Sequence, residues 1–174
     1  MNWGCGSVRP VGWINADRLH GDNIDVTADI VHGLPIADHT FDYIVSIHAL
    51  QDLPFMDVVP ALTELKRVLR AGGVLRLGLP DLDRAIVAYL SGDKDYFYIP
   101  DGESQTIGGK LAAQMTWYGS SRMLFTWDSI SEWLEKAGFT SVLRCNFGTT
   151  GSRYPEIVEL DDRERESLFV EAVK

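Results

Sequence analysis

Thr40-Phe-Asp-Tyr-Ile-Val-Ser46 and, after an amphipathic stretch, Arg67-Val-Leu-Arg-Ala-Gly-Gly-Val-Leu-Arg-Leu-Gly-Leu-Pro80 decide the fold of this 174-residue chain. Tyr43 to Ile47 is a short β-rich apolar run entered from Phe41-Asp42. Val58, Leu62, Leu65, Val68 and Leu69 then recur at helical spacing, with Glu64, Lys66 and Arg67 turned outward. Gly72-Gly73 falls where a helix C-cap needs a positive φ, and Val74 to Leu79 resumes a β pattern that Pro80 closes. Strand, helix and strand joined in this way form a parallel βαβ unit with a right-handed crossover.

Upstream, Met1-Asn-Trp-Gly-Cys-Gly-Ser7 reads as a clipped strand running into a glycine turn, and Gly12-Trp-Ile-Asn-Ala-Asp17 as a second strand. Ser7 to Val11 between them is too short for the crossover helix of ~10 residues that a parallel pair ordinarily uses, so the first crossover helix is abbreviated or absent. Asp25 to Ile30 reads as a third strand, and Leu34-Pro-Ile-Ala-Asp-His39 as a turn before the central one. Downstream, Leu82 to Leu90 and Lys110 to Trp117 have helical patterns. Thr126 to Ala137 is a helix that Thr126 or Asp128 can cap and Gly138 stops. Val142 to Phe147 and Ser167 to Val173 read as strands separated only by the polar stretch Gly148 to Glu166, which favours an antiparallel pair. Within it, Glu159-Leu-Asp-Asp-Arg-Glu-Arg-Glu166 reads as a solvated loop. The expectation is a single-domain α/β protein: a Rossmann-like open sheet, mostly parallel with an antiparallel C-terminal strand pair, and a ligand site at the carboxyl ends of the parallel strands.

Composition narrows the function classes. A hydrophobic content of 45% at this length suits one domain with a full core. No run approaches the ~20 apolar residues of a membrane span, and no basic-then-apolar leader opens the chain, so a cytoplasmic protein without a membrane partner is expected. Cys5 and Cys145 are far apart and read as buried thiols, and His20, His32 and His39 are scattered, so no metal site is expected. A formal net charge of −9 opposes a nucleic-acid partner, whose backbone is held mainly by Lys and Arg.

Asn2-Trp-Gly-Cys-Gly6, Gly12-Trp-Ile-Asn-Ala-Asp17, Ala28-Asp29, Leu34-Pro-Ile-Ala-Asp-His-Thr-Phe-Asp42, Ser46-Ile-His-Ala-Leu50 and Arg67-Val-Leu-Arg-Ala-Gly-Gly73 follow one another in the order found in small class I S-adenosylmethionine-dependent methyltransferases of the type 11 kind. The chain resembles that family over most of its length. Thr126 to Phe139 and Ser167 to Lys174 resemble its last helix and final strand. The resemblance implies S-adenosyl-L-methionine as cofactor and methyl transfer to a small molecule, at a hydroxyl or amine, of saccharide or secondary-metabolite type. It implies that Gly4, Cys5 and Gly6 cradle the methionine part, that Asp17 takes the ribose diol, and that Asp29 takes the adenine amino group while the Ile30 amide faces a ring nitrogen. Ser46, Ile47 and His48 would end the central strand beside the reactive centre.

Physical chemistry agrees with these roles. Glycines let a backbone approach a ligand closely, and a carboxylate can accept two hydrogen bonds from a diol. Asp17 and Asp29 also have plain readings as turn or cap carboxylates. His48 is the best base candidate, because its ordinary pKa suits neutral pH; otherwise it only lines the pocket. Asp52, Asp81 and Tyr118 are weaker candidates.

The sequence departs from the family pattern at Asn2 and Ser7, where an acidic residue and a third glycine are usual, and at Leu50-Gln51-Asp52, where Leu-Glu-His is frequent. Because the chain opens at its first strand, acceptor specificity is expected from Asp93 to Phe125, which contains Tyr96, Phe97, Tyr98, Trp117 and Tyr118. That stretch reads as an acceptor-covering lid or as a fixed aromatic cluster at a sheet edge or a homodimer contact. A nicotinamide dehydrogenase is disfavoured by Arg9 at the third glycine position. A non-catalytic protein that binds S-adenosylmethionine or S-adenosylhomocysteine, or a regulatory subunit, stays open as the alternative.

Overall fold

In a computed structural model that describes all 174 residues, seven strands form one sheet. They are β1 (Asn2–Trp3), β2 (Asn15–Asp17), β3 (Val26–Thr27), β4 (Phe41–Ile47), β5 (Leu69–Pro80), β6 (Thr140–Cys145) and β7 (Ser167–Val173), in the order β3-β2-β1-β4-β5-β7-β6. The first five pair in parallel, and β7 runs antiparallel to both β5 and β6. Helices α1 (Phe55–Val68), α2 (Leu82–Ser91), α3 (Ile107–Thr116) and α4 (Trp127–Lys136) complete the chain. The fold is the Rossmann-like open sheet expected from the sequence, with its antiparallel C-terminal pair.

Local departures have local causes. Gly72-Gly73 does not cap α1: the helix ends at Val68, and Leu69 is already extended and paired with Phe41. Gly72, at φ +71, lies instead in a register shift inside the β4–β5 ladder. The third strand shrinks to Val26–Thr27, because Asp29 accepts a hydrogen bond from the Val31 amide and starts a 3-10 turn over Ile30–His32. Helix α3 begins three residues earlier than its apolar pattern, where the Thr106 hydroxyl accepts from the Gly109 amide. Strand β6 begins at Thr140, two residues before the expected run.

The two faces of the sheet are covered differently. Leu62 and Leu65 of α1, Ile130 and Leu134 of α4, and Ile30 and Leu34 pack on Ile44, Leu75 and Leu77 in one apolar core. Thr126 holds the start of α4 in a capping box with Ser129. Helices linking β1 to β2 and β2 to β3 would run the opposite way along the sheet from α1. A right-handed crossover would place them on the opposite face. Those connections contain no α-helix.

The connection from β6 to β7 covers that face instead. Its 3-10 turn at Pro155–Val158 seats Ile157 against Val45 and Val74, with Trp13, Tyr43 and Tyr154 alongside. The reading of Glu159 to Glu166 as a solvated loop is therefore corrected. Arg76 of β5, 0% exposed, pairs through Nη2 with Asp161 Oδ2 at 2.5 Å and through Nη1 with Glu171 Oε1 at 2.7 Å. It also donates to the carbonyls of Asn146 and Thr149. Buried charges are tolerated when paired in this way, and Asp161 is the partner this buried cation needs. No helix is long and apolar enough to cross a membrane.

Candidate active site

The clipped strand β1 and the turn after it are closed by polar clasps where a crossover helix would ordinarily stand. Gly4 (φ +68) and Gly6 (φ +52) turn the chain in the left-handed region. A Cβ on Gly4 would lie 2.2 Å from the Ala49 Cβ, so only glycine lets this loop meet the segment after β4. The Gly6 amide donates to Asp17 Oδ2 at 2.8 Å and the Leu19 amide to Asp17 Oδ1 at 2.9 Å. Arg9 Nε donates to the Gly6 carbonyl at 2.7 Å and its Nη1 to the Asp22 carbonyl. Asn2 Nδ2 donates to the Val8 carbonyl and to Asn15 Oδ1.

Three cavities meet at His48, at the carboxyl ends of β1, β2 and β4. The first, about 320 Å³, brings Gly4, Gly6, Asp17, Asp29, Ile30 and His48 together, with Trp3, Ala28, Ala49 and Leu53 as apolar wall. The second, about 150 Å³, lies beyond the glycine loop and is lined by Asn2, Cys5, Ile47, Asp162 and Arg163 as well as Gly4, Gly6 and His48. The third, about 170 Å³, is lined by His48, Gln51, Asp52, Gln114, Trp117, Arg163 and Glu166, among others. A larger depression of about 620 Å³ opens between α2 and Glu164–Arg165; it contains neither His48 nor any residue of the glycine loop.

Of the residues expected to bind the cofactor, Ser46 alone lines none of the three cavities. It is buried in β4, and its Oγ has no hydrogen-bond partner. Asp17 and Asp29 both act as local clasps, Asp17 for the glycine loop and Asp29 for the Ile30–His32 turn. A carboxylate has about four lone-pair sites, so one or two accepted amide bonds leave capacity for a ligand.

His48 has φ +50, a conformation that costs a residue with a Cβ about 1–2 kcal/mol. The Ser167 hydroxyl donates to the Arg163 carbonyl at 2.8 Å, so the 2.7 Å contact between His48 Nε2 and Ser167 Oγ has the imidazole N–H as donor. Nδ1 then bears the lone pair and faces Arg163 Nη1 at 3.5 Å. Burial first, and the Arg163 charge second, push the His48 pKa down to about 3. A ring held neutral in this way is a poor proton acceptor at neutral pH, which counts against His48 as the base. Burial pushes the Asp52 and Glu166 carboxyls up, and Arg18, Arg122 and Arg163 offset part of that shift.

The remaining base candidates lie elsewhere. Asp81 is buried as the N-cap of α2 and pairs with Arg144, while Tyr118 is exposed and bonds Glu103. Asp93 to Phe125 is anchored at a few points and otherwise largely exposed: Tyr96, Phe97 and Met115 cluster with Ala85 and Ala88 of α2, and the Arg122 and Met123 amides donate to the Gln51 carbonyl. Only Gln114 and the turn Trp117–Ser121 reach the third cavity. Sequence reasoning passed over Gln114, Asp162, Arg163 and Glu166. The antiparallel strand pair was the available signal, because it returns the connection before β7 to the ligand end of the sheet.

A family model described as a methyltransferase domain, of the type 11 methyltransferases, matches residues 14–77. That segment runs from β2 to β5 and carries Asp17, Asp29, Ile30, Ile47 and His48. Among solved structures, a SAM-dependent methyltransferase from Archaeoglobus fulgidus aligns with a TM-score of 0.56 at 13% identity, over 91% of this chain and 74% of its own. A chain from the complex between the Haloferax volcanii Trm112 methyltransferase activator and a protein assigned as a methyltransferase aligns at 0.51 and 14% identity, over 89% of this chain and 63% of its own. This chain spans 62% of the length of a SAM-dependent methyltransferase from Thermotoga maritima, at 19% identity, a TM-score of 0.46 and coverage of 84% of this chain. No curated protein matches the sequence. The matched segment, the ordered motifs and the strand order agree: residues 14–77 are similar to the type 11 methyltransferase domain, and the sheet has the fold of S-adenosylmethionine-dependent methyltransferases. The cofactor of that family is S-adenosyl-L-methionine. The residues present fit it: an apolar slot with carboxylates at Asp17 and Asp29 suits a nucleoside, and the adjoining cavity holds a buried carboxylate oxygen, Asp162 Oδ1, that has no hydrogen-bond partner.

Proposed function

We propose that this protein catalyses methyl transfer from S-adenosyl-L-methionine to a small polar acceptor, at a hydroxyl or amine, bound in the third cavity. The observation that carries this reading is the convergence of all three cavities on His48, which puts a nucleoside slot and a separate polar cavity on either side of one side chain. The cofactor supplies a methyl group already activated on a sulfonium, so the protein's part is to orient the acceptor and keep water out. Asp17 and Asp29 hold the nucleoside, and the Gly4–Gly6 turn lets the backbone come close to it.

Gln51 and Gln114, 6% and 4% exposed, line the acceptor cavity and are pinned at one end: Gln51 Nε2 donates to the His48 carbonyl and Gln114 Oε1 accepts from the Tyr98 amide, each at 2.7 Å. Their other ends, Gln51 Oε1 and Gln114 Nε2, have no protein partner. A buried polar atom left unpaired costs about 1–3 kcal/mol, which an acceptor offering a complementary donor and acceptor recovers. Asp52 borders both the nucleoside and acceptor cavities, and its raised pKa suits it to take the acceptor's proton. Neutral His48 keeps the junction in shape through Ser167.

Calorimetry with S-adenosylhomocysteine, followed by turnover with a panel of hydroxylated and amine-bearing small molecules, tests the proposal. Asp17→Asn, folded as judged by its melting curve, is expected to lose ~1–3 kcal/mol of cofactor affinity. Asp52→Asn is expected to keep affinity and lose kcat. Binding without turnover on any acceptor would leave a non-catalytic cofactor-binding protein, and unchanged affinity in Asp17→Asn would reduce that residue to a loop clasp.

A further inference from the structure

The second cavity has a composition that the nucleoside and acceptor roles do not use. It shares Gly4, Gly6 and His48 with the nucleoside slot, so a ligand that fills the slot and continues past the glycine loop enters it. At its far side stand an acid and a base adjacent in sequence, Asp162 and Arg163. Asp162 Oδ1 is buried and makes no hydrogen bond, and the Arg163 Nε that faces it is 3.9 Å away, outside hydrogen-bond range. An oxygen withdrawn from water with no donor is a vacancy for one.

Arg163 also has unspent donors. Its contacts are long: 3.5 Å to His48 Nδ1, 3.9 Å to Glu166 Oε1, and a stack on the Trp117 ring at 5.6 Å. Asn2 of β1 also lines this cavity. That side chain is neutral, and its amide is committed to Val8 and Asn15.

Nor are these two residues on a slack loop. Asp161 before them is tied to buried Arg76, and the Arg163 carbonyl accepts from the Ser167 hydroxyl and the Glu166 amide at the start of β7. Arg163 itself is held at φ +52, a strained conformation for a residue with a side chain.

We propose that Asp162 and Arg163 receive the α-amino acid end of the cofactor, Asp162 accepting from its ammonium and Arg163 donating to its carboxylate. The β6–β7 connection thereby supplies the acid that β1 lacks. This rests on the cofactor reading above and extends it to a second ligand end.

The test compares two ligands by calorimetry. S-adenosylhomocysteine carries the amino acid end; 5′-methylthioadenosine has the same nucleoside and sulfur without it. Wild type is expected to bind S-adenosylhomocysteine the more tightly. Asp162→Asn and Arg163→Gln should each weaken that binding about ten- to a hundred-fold, the worth of a charge-assisted hydrogen bond, and leave 5′-methylthioadenosine unchanged. Equal weakening of both ligands, or of neither, in variants with wild-type melting curves overturns the inference while the cofactor reading stands. Wild type binding neither ligand overturns both.

Discussion

Leu62, Leu65, Ile130 and Leu134 close one face of the sheet with apolar side chains from two helices, whereas Ile157, Tyr154 and Trp13 close the other from loops. The helix face needs only shape and hydrophobicity, and its stability scales with area removed from water. The loop face is roped to the sheet by charge, through Arg76 to Asp161 and Glu171. Charges impose a register that an apolar patch does not, and this register places Asp162 and Arg163 beside the glycine loop. A cover that is also a binding wall must be positioned, and ion pairs position.

The largest expected effect tests that rope. Arg76→Leu leaves Asp161 and Glu171 buried without their cation, and urea unfolding should show a loss of ~3–5 kcal/mol. Replacing all three residues by apolar side chains should recover most of it. A loss under ~1 kcal/mol for Arg76→Leu would mean that the loop face is held by packing after all, and the contrast would disappear.

Hydrogen exchange sharpens the same contrast. Amides in residues 4–14, 18–25 and 146–166 are expected to exchange faster than those of α1 and α4, because they lie in connections and not in regular ladders. S-adenosylhomocysteine at ~100 times its dissociation constant should add ~2.7 kcal/mol to global stability. The slowing should be greatest in these connections. Equal slowing in α1 and α4 would show that the faces behave as one unit.

The smallest effect is a pH dependence at the junction. The folded-state pKa of His48, about 3, lies below its ordinary value near 6.5, so between these values the unfolded chain binds a proton that the native state refuses. Stability from this group is complete above pH ~6.5 and falls as the pH drops toward 3. At pH 5 the loss is on the order of 2 kcal/mol. Asp52, Asp162 and Glu166, with raised pKa values, act in the opposite sense. The difference in melting temperature between wild type and His48→Asn, followed from pH 7.5 to 5, isolates the histidine. Asn tolerates the left-handed backbone, and its side chain does not titrate. A difference that does not change with pH would show that the ring is not sequestered.

Much of this architecture was legible because it is periodic. The helical spacing of Val58 to Leu69 and the β runs on either side required α1 and its neighbouring strands, and a polar gap without helical pattern required the antiparallel return of β7. The cluster of Gly4, Gly6, Asp17, Asp29, Ile30 and His48 was legible through ordered motifs, and the fold does bring these residues into one cavity. Ser46 was misplaced because side chains alternate along a strand: its hydroxyl turns away from the cavity that Ile47 lines. The surroundings of His48 were not legible, because its partners, Ser167 and Arg163, stand 119 and 115 residues away in sequence. The charge run near Asp161 looked solvated for the same reason, since Arg76 lies 85 residues earlier.

Strand β7 comes last along the chain yet lies between β5 and β6. During synthesis from the N-terminus, β5 therefore waits with an open edge until residues 167–173 leave the ribosome, and Val45 and Val74 wait uncovered with it. Open edges and bare apolar surface are what chaperones bind and what aggregates share. Ligand competence should then appear late and all at once in a nascent chain, when β7 slots in, Ser167 reaches His48, and the wall holding Asp162 and Arg163 is pulled into place.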